Sequence, residues 1–238
     1  MENQIIKFLT LKHNFRKAFI VTRVSEYSSK EELLNVLTHA IGFIFSIIGT
    51  IALCLQANSF GSNTQHLISY IVYGSTLITF YLASTLYHSF SNTNLYYILK
   101  KIDHLSIYFL IAGTYSPLIL IGIKSSMCFI TLCIIWSLAF INCFLKSSKY
   151  KFCQNIGFVS YLIMGWFVLI VKEELSTNLS SISYTLLFIG GLIYTFGVIF
   201  YLWNKLPFNH SIWHVFVLGG STSHYFSIYN LLIKTQDY

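Results

Sequence analysis

The sequence predicts an all-α integral membrane protein, a bundle of seven transmembrane helices. Three observations predict this fold class: a composition that is 55% hydrophobic and only 10% charged, long apolar stretches, and polar or basic clusters that separate them. Soluble domains carry about 25% charged residues. Lipid offers the backbone no hydrogen-bond partners, so each spanning segment of roughly 20 residues is expected to be helical.

Seven apolar stretches mark the predicted helices. Their approximate limits are 33–57, 66–90, 103–123, 127–145, 155–171, 182–203 and 210–233. The fifth stretch is short, and the turn at Lys124 is tight. No internal repeat or low-complexity linker separates the stretches, so residues 33–238 are predicted to form one membrane domain.

Residues 1–32 are predicted to form a basic cytoplasmic segment ahead of the membrane domain. Within residues 5–24, apolar side chains such as Phe8, Leu11 and Phe15 recur at helical spacing among five basic residues. This pattern is typical of a helix lying on an anionic membrane surface. It fits a solvated basic tail equally well, and the sequence leaves both interpretations open.

The distribution of basic residues predicts the orientation, because short positively charged loops resist translocation. Twelve of the fifteen Lys and Arg lie in the amino-terminal segment and in the loops after the second, fourth and sixth helices. We therefore expect a multi-pass protein of the cell membrane with its amino terminus in the cytoplasm and its carboxyl terminus outside. The same distribution accounts for the net charge of +7, so the lipid bilayer and not nucleic acid is the expected partner.

This orientation argues against two familiar seven-helix classes. G-protein-coupled receptors begin outside the cell, and retinal proteins need a lysine within the seventh helix, where this chain has none. The five cysteines show no CxxC spacing and mostly lie in apolar stretches. They are expected to be small core residues rather than disulfides or metal ligands.

Histidines near the helix ends are the main candidates for chemistry, because ionisable groups inside a membrane are costly. His210 and His214 are four residues apart at the start of the seventh helix, so both imidazoles lie on one face, one turn apart. His88 ends the second helix, with Ser84 one turn earlier. Taken singly, each histidine could simply bond to a neighbouring helix.

Asp103 opens the predicted third helix, directly after two lysines and Ile102. One interpretation is an N-cap that accepts backbone N–H groups, and the other is a functional carboxylate. In the predicted topology the second helix ends where the third and seventh begin, so Asp103 is expected at the depth of the three histidines. Three imidazoles leave the fourth position of tetrahedral Zn²⁺ open for water, and a carboxylate beside that water could take its proton.

The other histidines are weaker candidates. His224 lies about 15 Å deeper than His214 by helical rise, and it is predicted to bond to a neighbouring helix or, as the alternative, to line a substrate cavity. His39 could support the metal site, contact substrate or pack. His66 lies on the far side of the membrane, and His104 is expected to face away from the site.

Five motifs stand in order along the first, second, third and seventh helices. They are Glu31-Glu32 with Asn35 and Thr38-His39-Ala40-Ile41-Gly42; Ser84-Thr85-Leu86-Tyr87-His88; Asp103-His104; Ile111-Ala112-Gly113-Thr114-Tyr115-Ser116-Pro117; and His210-Ser211-Ile212-Trp213-His214-Val215-Phe216. Together they resemble the hemolysin III family, the bacterial branch of the progestin and adipoQ receptor (PAQR) superfamily. The similarity spans nearly the whole membrane region.

The resemblance implies that the ligands of a Zn²⁺ cofactor are His88, His210 and His214. It implies that Asp103 holds the zinc-bound water and that Ser84 lies near the metal, which makes these two the expected catalytic residues. Related receptors and alkaline ceramidases point to hydrolysis of lipid amides. Our first hypothesis is therefore a zinc-dependent hydrolase of amide or ester bonds in a membrane lipid, linked to lipid homeostasis. The alternatives are a pore-forming haemolysin with structural zinc and a sensor of membrane state.

Overall fold

The structure, a computed structural model, describes residues 25–59, 64–123, 125–147 and 157–231. The elements are α1 (Ser29–Ser59), α2 (Thr64–Ser89), α3 (Tyr96–Leu120), α4 (Ser126–Ser147), α5 (Gly157–Trp166), a 3₁₀ segment (Phe167–Val171), α6 (Lys172–Asn178), α7 (Ser181–Leu202) and α8 (Asn209–Tyr229). The α5 helix, the 3₁₀ segment and α6 follow one another without a break and count as one helical segment. The described residues therefore form seven helical segments and no strand. The all-α prediction is confirmed. The basic segment 5–24 lies outside the described residues.

Four helices, α1, α2, α4 and α7, are long and apolar enough to cross a membrane. Their outward faces expose large apolar side chains such as Phe45, Phe196 and Phe144, the last of which is 78% exposed. Water would penalise such continuous apolar faces, whereas lipid solvates them. The chain is therefore a multi-pass membrane protein. The count of seven spans and the orientation of the termini stay predictions.

Consecutive long helices pack side by side from α1 to α4, and α8 contacts both α7 and α1. Polar side chains join these helices inside the bundle. Ser183 of α7 and Ser227 of α8 exchange hydrogen bonds, because each hydroxyl donates to the other residue's carbonyl at 2.7 Å. The Gln56 amide of α1 donates to the Tyr229 carbonyl of α8 at 2.9 Å. Such bonds satisfy polar groups that lipid cannot.

Glycines allow α7 and α8 to approach closely. A Cβ added at Gly190 would meet the imidazole of His224, and one added at Gly197 would lie 2.9 Å from the Trp213 ring. From the sequence alone, these glycines could have served contacts within the chain or between chains. The structure uses both of them for packing within the chain.

Two helices, α1 and α3, begin several residues earlier than their apolar stretches predict. The first, α1, begins with a capping box in which the Glu31 carboxylate accepts the Ser28 N–H at 2.7 Å and the Ser28 hydroxyl accepts the Glu31 N–H at 3.2 Å. The third, α3, begins at Tyr96, because two lysines interrupt the hydropathy of its first turns without interrupting the helix. Asp103 therefore lies inside α3, and the N-cap interpretation of this residue is wrong.

Candidate metal centre

Three histidines meet at the end of the bundle where α2 ends and α8 begins. His88 comes from the last turn of α2, and His210 and His214 come from the first two turns of α8. One ring nitrogen from each lies within 4.8 Å of the other two, and all three residues are buried. The Nε2 atoms of His88 and His210 are 3.3 Å apart.

This arrangement fits the ligand preferences of zinc. Two nitrogens at the usual Zn–N distance, separated by a tetrahedral angle, lie about 3.3–3.4 Å from each other. The separation of the His88 and His210 Nε2 atoms, 3.3 Å, agrees with that value. The three-histidine cluster could therefore hold a divalent metal ion, and three imidazoles would leave one tetrahedral position open.

Side chains of α1 support the imidazoles. Glu32 Oε2 lies 2.6 Å from Nδ1 of His88, so the carboxylate accepts from this nitrogen and leaves Nε2 facing the cluster. The Thr38 hydroxyl lies 3.2 Å from Nδ1 of His214. Because that hydroxyl donates its own proton to the Leu34 carbonyl at 2.8 Å, it accepts from the His214 Nδ1–H. Both contacts are of the kind that orients metal-binding imidazoles.

A further bond ties α1 to α8 beside the cluster. The Ser211 hydroxyl donates to Oδ1 of Asn35 at 2.6 Å, and both residues are buried. His39, one turn further along α1, stacks on His214 with 3.6 Å between ring centroids. Neither ring nitrogen of His39 has a hydrogen-bond partner among the described residues. His39 therefore packs on a candidate ligand and also lines the neighbouring cavity, so its expected role in contacting substrate stays a prediction.

Asp103 and Ser84 lie on the wall of the cavity that His210 and His214 also line. Asp103 is buried, and Ser84, which is also buried, lines the same wall. The carboxylate stands outside the group of converging ligand atoms. Its position is that of a residue beside a metal site and not of a fourth ligand.

The cavity has a volume of about 200 Å³ and extends from the cluster into the bundle. Its deeper wall is mainly aliphatic and aromatic and includes Leu118, Val168 and Phe188. His224 lines it and also bonds to the Leu187 carbonyl at 3.1 Å, so the expected bond to a neighbouring helix is present and the side chain also faces the cavity. His104 lines the cavity too, contrary to the expectation that it faces away.

Residues ahead of α1 cover the cluster from outside the bundle. The Tyr27 ring stacks on His210 with 4.7 Å between centroids, and burial raises the pKa of its phenol. The backbone N–H of Phe208, just before α8, donates to the Glu31 carboxylate at 2.9 Å. These contacts join the start of α1 to the start of α8.

Sequence reasoning did not single out Tyr27, and it recognised Glu32 only as part of a family motif. A signal for Glu32 was present, because Glu32, Asn35 and His39 recur on one face of a helix and all three are buried. A polar stripe on an otherwise apolar helix indicates an inward face in a membrane bundle. No comparable pattern marks Tyr27, which precedes the helix.

The fold and the site define a multi-pass helical membrane protein with a three-histidine cluster at one end of its bundle. A family model described as "Haemolysin-III related" matches residues 27–225. This chain belongs to the hemolysin III family, and the resemblance seen in its motifs is confirmed.

Curated relatives cover nearly the same region. The "Hemolysin-3 homolog" of Bacillus subtilis (strain 168) is 40% identical over 87% of this chain and 97% of its own length. "Hemolysin-3" of Bacillus cereus is 38% identical over 91% of this chain and 98% of its own length. "Monocyte to macrophage differentiation factor" of Homo sapiens is 28% identical over 86% of each chain. The last match is a distant one and extends the similarity to the wider PAQR superfamily.

Proposed function

We propose that this protein is a zinc-dependent hydrolase of amide or ester bonds in membrane lipids. One observation carries the proposal: Asp103 shares the wall of one largely apolar cavity with His210 and His214, two of the three clustered imidazoles. Water is expected at the polar end of this cavity and an acyl chain in its apolar part. The cleavable bond of a lipid would then lie between them.

The residues that would hold the metal are His88, His210 and His214. Bound zinc supplies a Lewis acid that polarises a carbonyl group and lowers the pKa of water to about 7. Glu32 and Thr38 each accept from an Nδ1–H, which keeps the imidazoles of His88 and His214 in the tautomer whose other nitrogen is available as a ligand.

The proton is transferred by Asp103. Its carboxylate accepts a proton from the attacking water and gives it to the leaving amine or alkoxide. The Ser84 hydroxyl, on the same cavity wall, would orient this carboxylate by donating a hydrogen bond to it. The apolar walls around Leu118 and Phe188 exclude bulk water and bind the acyl chain.

The test is fatty-acid release by the purified, zinc-loaded protein from mixed amide and ester lipids. Asp103→Asn removes the base, and we expect kcat to fall at least about 100-fold. Glu173→Gln changes an exposed carboxylate on α6 and should leave kcat unchanged. Undiminished activity in a folded, zinc-loaded Asp103→Asn protein would contradict the proton-transfer role.

A second candidate function is membrane perturbation with a structural metal. The name of the Bacillus cereus relative, "Hemolysin-3", favours it. In this case the metal would clamp α2 to α8 without turnover. Dye leakage from liposomes at defined protein density separates the two functions. Leakage caused by the zinc-loaded protein without release of fatty acid would favour perturbation over hydrolysis.

The protein is expected in the cell membrane, in one orientation. The excess of basic residues around the predicted loops supports a position in the cell membrane with the histidine cluster near the cytoplasmic face. The lipid substrate would then be taken from the inner leaflet. A sensor of membrane state would share this location, and it would differ by binding lipid without cleaving it.

A further inference from the structure

One positively charged group on the cavity wall has no part in the proposed hydrolysis. Lys146, in the last turn of α4, lines the cavity together with Asp103 and His104, at the end nearest the histidine cluster. We call this the polar end of the cavity. The Lys146 ammonium group donates to the Tyr161 hydroxyl of α5 at 3.2 Å and lies 5.5 Å from the centre of the Tyr161 ring. The Tyr161 hydroxyl donates in turn to the His104 carbonyl at 2.8 Å. The lysine is therefore held against the wall.

No carboxylate of the described residues lies within 4.0 Å of the Lys146 ammonium group. Lys100 offers a contrast, since its ammonium group is 3.3 Å from the exposed Glu26 carboxylate. A partly buried ammonium group that contacts no carboxylate is costly in a membrane protein and often marks the path of a charged ligand. Asp103, which lines the same wall, acts on Lys146 only from beyond ion-pair distance. The bond to Tyr161 uses one of the three N–H donors of an ammonium group.

We propose that Lys146 binds the anionic headgroup, a carboxylate or a phosphate, of an acyl lipid whose chain lies in the cavity. The inference rests on the proposed function, because it takes this cavity as the site of the lipid, and it adds the charge of the substrate class. An ammonium group is a common partner of both anions. Asp103 lies beyond ion-pair distance from Lys146, so headgroup binding and proton transfer use different parts of the polar end.

The shape of the cavity supports a lipid rather than a small anion. The wall extends from Lys146 past Ile107 and Ile111 to Leu118, all of which line the same space. An inorganic anion would use only the polar end. An amphiphile with one charged end and one apolar chain would contact both the ammonium group and the aliphatic wall.

Calorimetric titration of the purified, zinc-loaded full-length protein in neutral detergent tests the inference with four probes. The probes are dodecanoate, dodecyl phosphate, dodecanol and inorganic phosphate. Lys146→Gln should weaken binding of the two charged amphiphiles by roughly 10- to 100-fold, the effect of losing a charge-assisted hydrogen bond. It should leave dodecanol binding unchanged. Lys100→Gln is the matched control, and its affinity for every probe should stay within about twofold of the wild-type affinity.

Two further measurements keep the result interpretable. Lys146→Arg preserves the charge and should retain the preference for dodecanoate over dodecanol, even if Lys146→Gln proves unstable. Thermal melting of each variant with zinc shows whether the fold is intact. None of these readouts depends on hydrolysis, so charge-dependent binding without lipid cleavage would sink the proposed function alone.

Three outcomes would overturn the inference. Equal losses for dodecanol and dodecanoate in Lys146→Gln would mean that the residue acts through packing. Unchanged affinities would mean that the lysine only extends toward the membrane surface. Inorganic phosphate that binds as tightly as dodecyl phosphate would mean that the ligand is a free anion and not a lipid.

Discussion

The Glu32 carboxylate lies 2.6 Å from Nδ1 of His88, and the two side chains are only 9% and 0% exposed. The other oxygen of the carboxylate accepts from the Ser25 hydroxyl. A buried carboxylate in this position orients the imidazole and increases its basicity as a ligand. The first turn of α1 therefore controls a candidate ligand that α2 contributes.

Glu32→Gln is expected to lower the affinity for zinc by about 10- to 100-fold, because an amide is a weaker acceptor for the Nδ1–H. Competition with a chromophoric chelator measures the affinity. Glu26→Gln removes an exposed carboxylate that pairs with Lys100, and this variant should keep the wild-type affinity for zinc. Equal zinc affinity in the wild type and in Glu32→Gln would restrict Glu32 to a structural role.

His214→Ala should abolish stoichiometric zinc binding, because two imidazoles and water form a much weaker site than three imidazoles. Metal analysis of the purified protein measures the content. His66→Gln is the control, since this residue lies at the opposite end of α2, about 33 Å from His88 by helical rise. Stoichiometric zinc in the His214→Ala protein would contradict the proposed ligand set.

Chelation of zinc should lower the melting temperature, because the candidate ligands come from both α2 and α8. At a free zinc concentration of 100 times Kd, binding stabilises the folded state by about 2.7 kcal/mol. Thermal melts with and without chelator give the difference. The difference in melting temperature should vanish in His210→Ala and persist in His66→Gln. A chelator effect of full size in His210→Ala would place the stabilising metal elsewhere.

Gly190→Ala should destabilise the bundle by about 1–3 kcal/mol, the usual effect of overpacking. Its Cβ would overlap the His224 imidazole and lie 3.1 Å from the Gly220 carbonyl oxygen. Gly165→Ala is the matched control, because nothing lies within 4 Å of its added Cβ. Denaturation in detergent compares the stabilities of the two variants. A Gly190→Ala protein as stable as Gly165→Ala would mean that α7 and α8 can separate at little cost.

The predicted orientation can be tested with single cysteines in a cysteine-free background. Lys101→Cys, in the first turns of α3, should react with an impermeant maleimide only after the cells are permeabilised. Lys172→Cys, at the start of α6, should react in intact cells. The reverse pattern would invert the topology and move the histidine cluster to the outer face.

The sequence located most of the candidate site because helix ends meet in a predictable way. Once α2 was expected to end where α8 begins, His88 had to lie near His210 and His214 at one end of the bundle. The start of α3 was not predictable from hydropathy, since charged side chains on its first turns can extend toward water while the helix continues. Asp103 was therefore assigned to the wrong position within its helix.

The composition and the long apolar stretches of the sequence determined that this chain is an all-helical membrane protein, because lipid requires each segment to satisfy its own backbone hydrogen bonds. Only the tertiary structure decided that Glu32 supports His88 and that Lys146 contacts Tyr161 on the cavity wall. Those contacts depend on how each helix is rotated about its axis and on which helices are neighbours. Rotation is set by packing among many side chains, so no local stretch of sequence contains it.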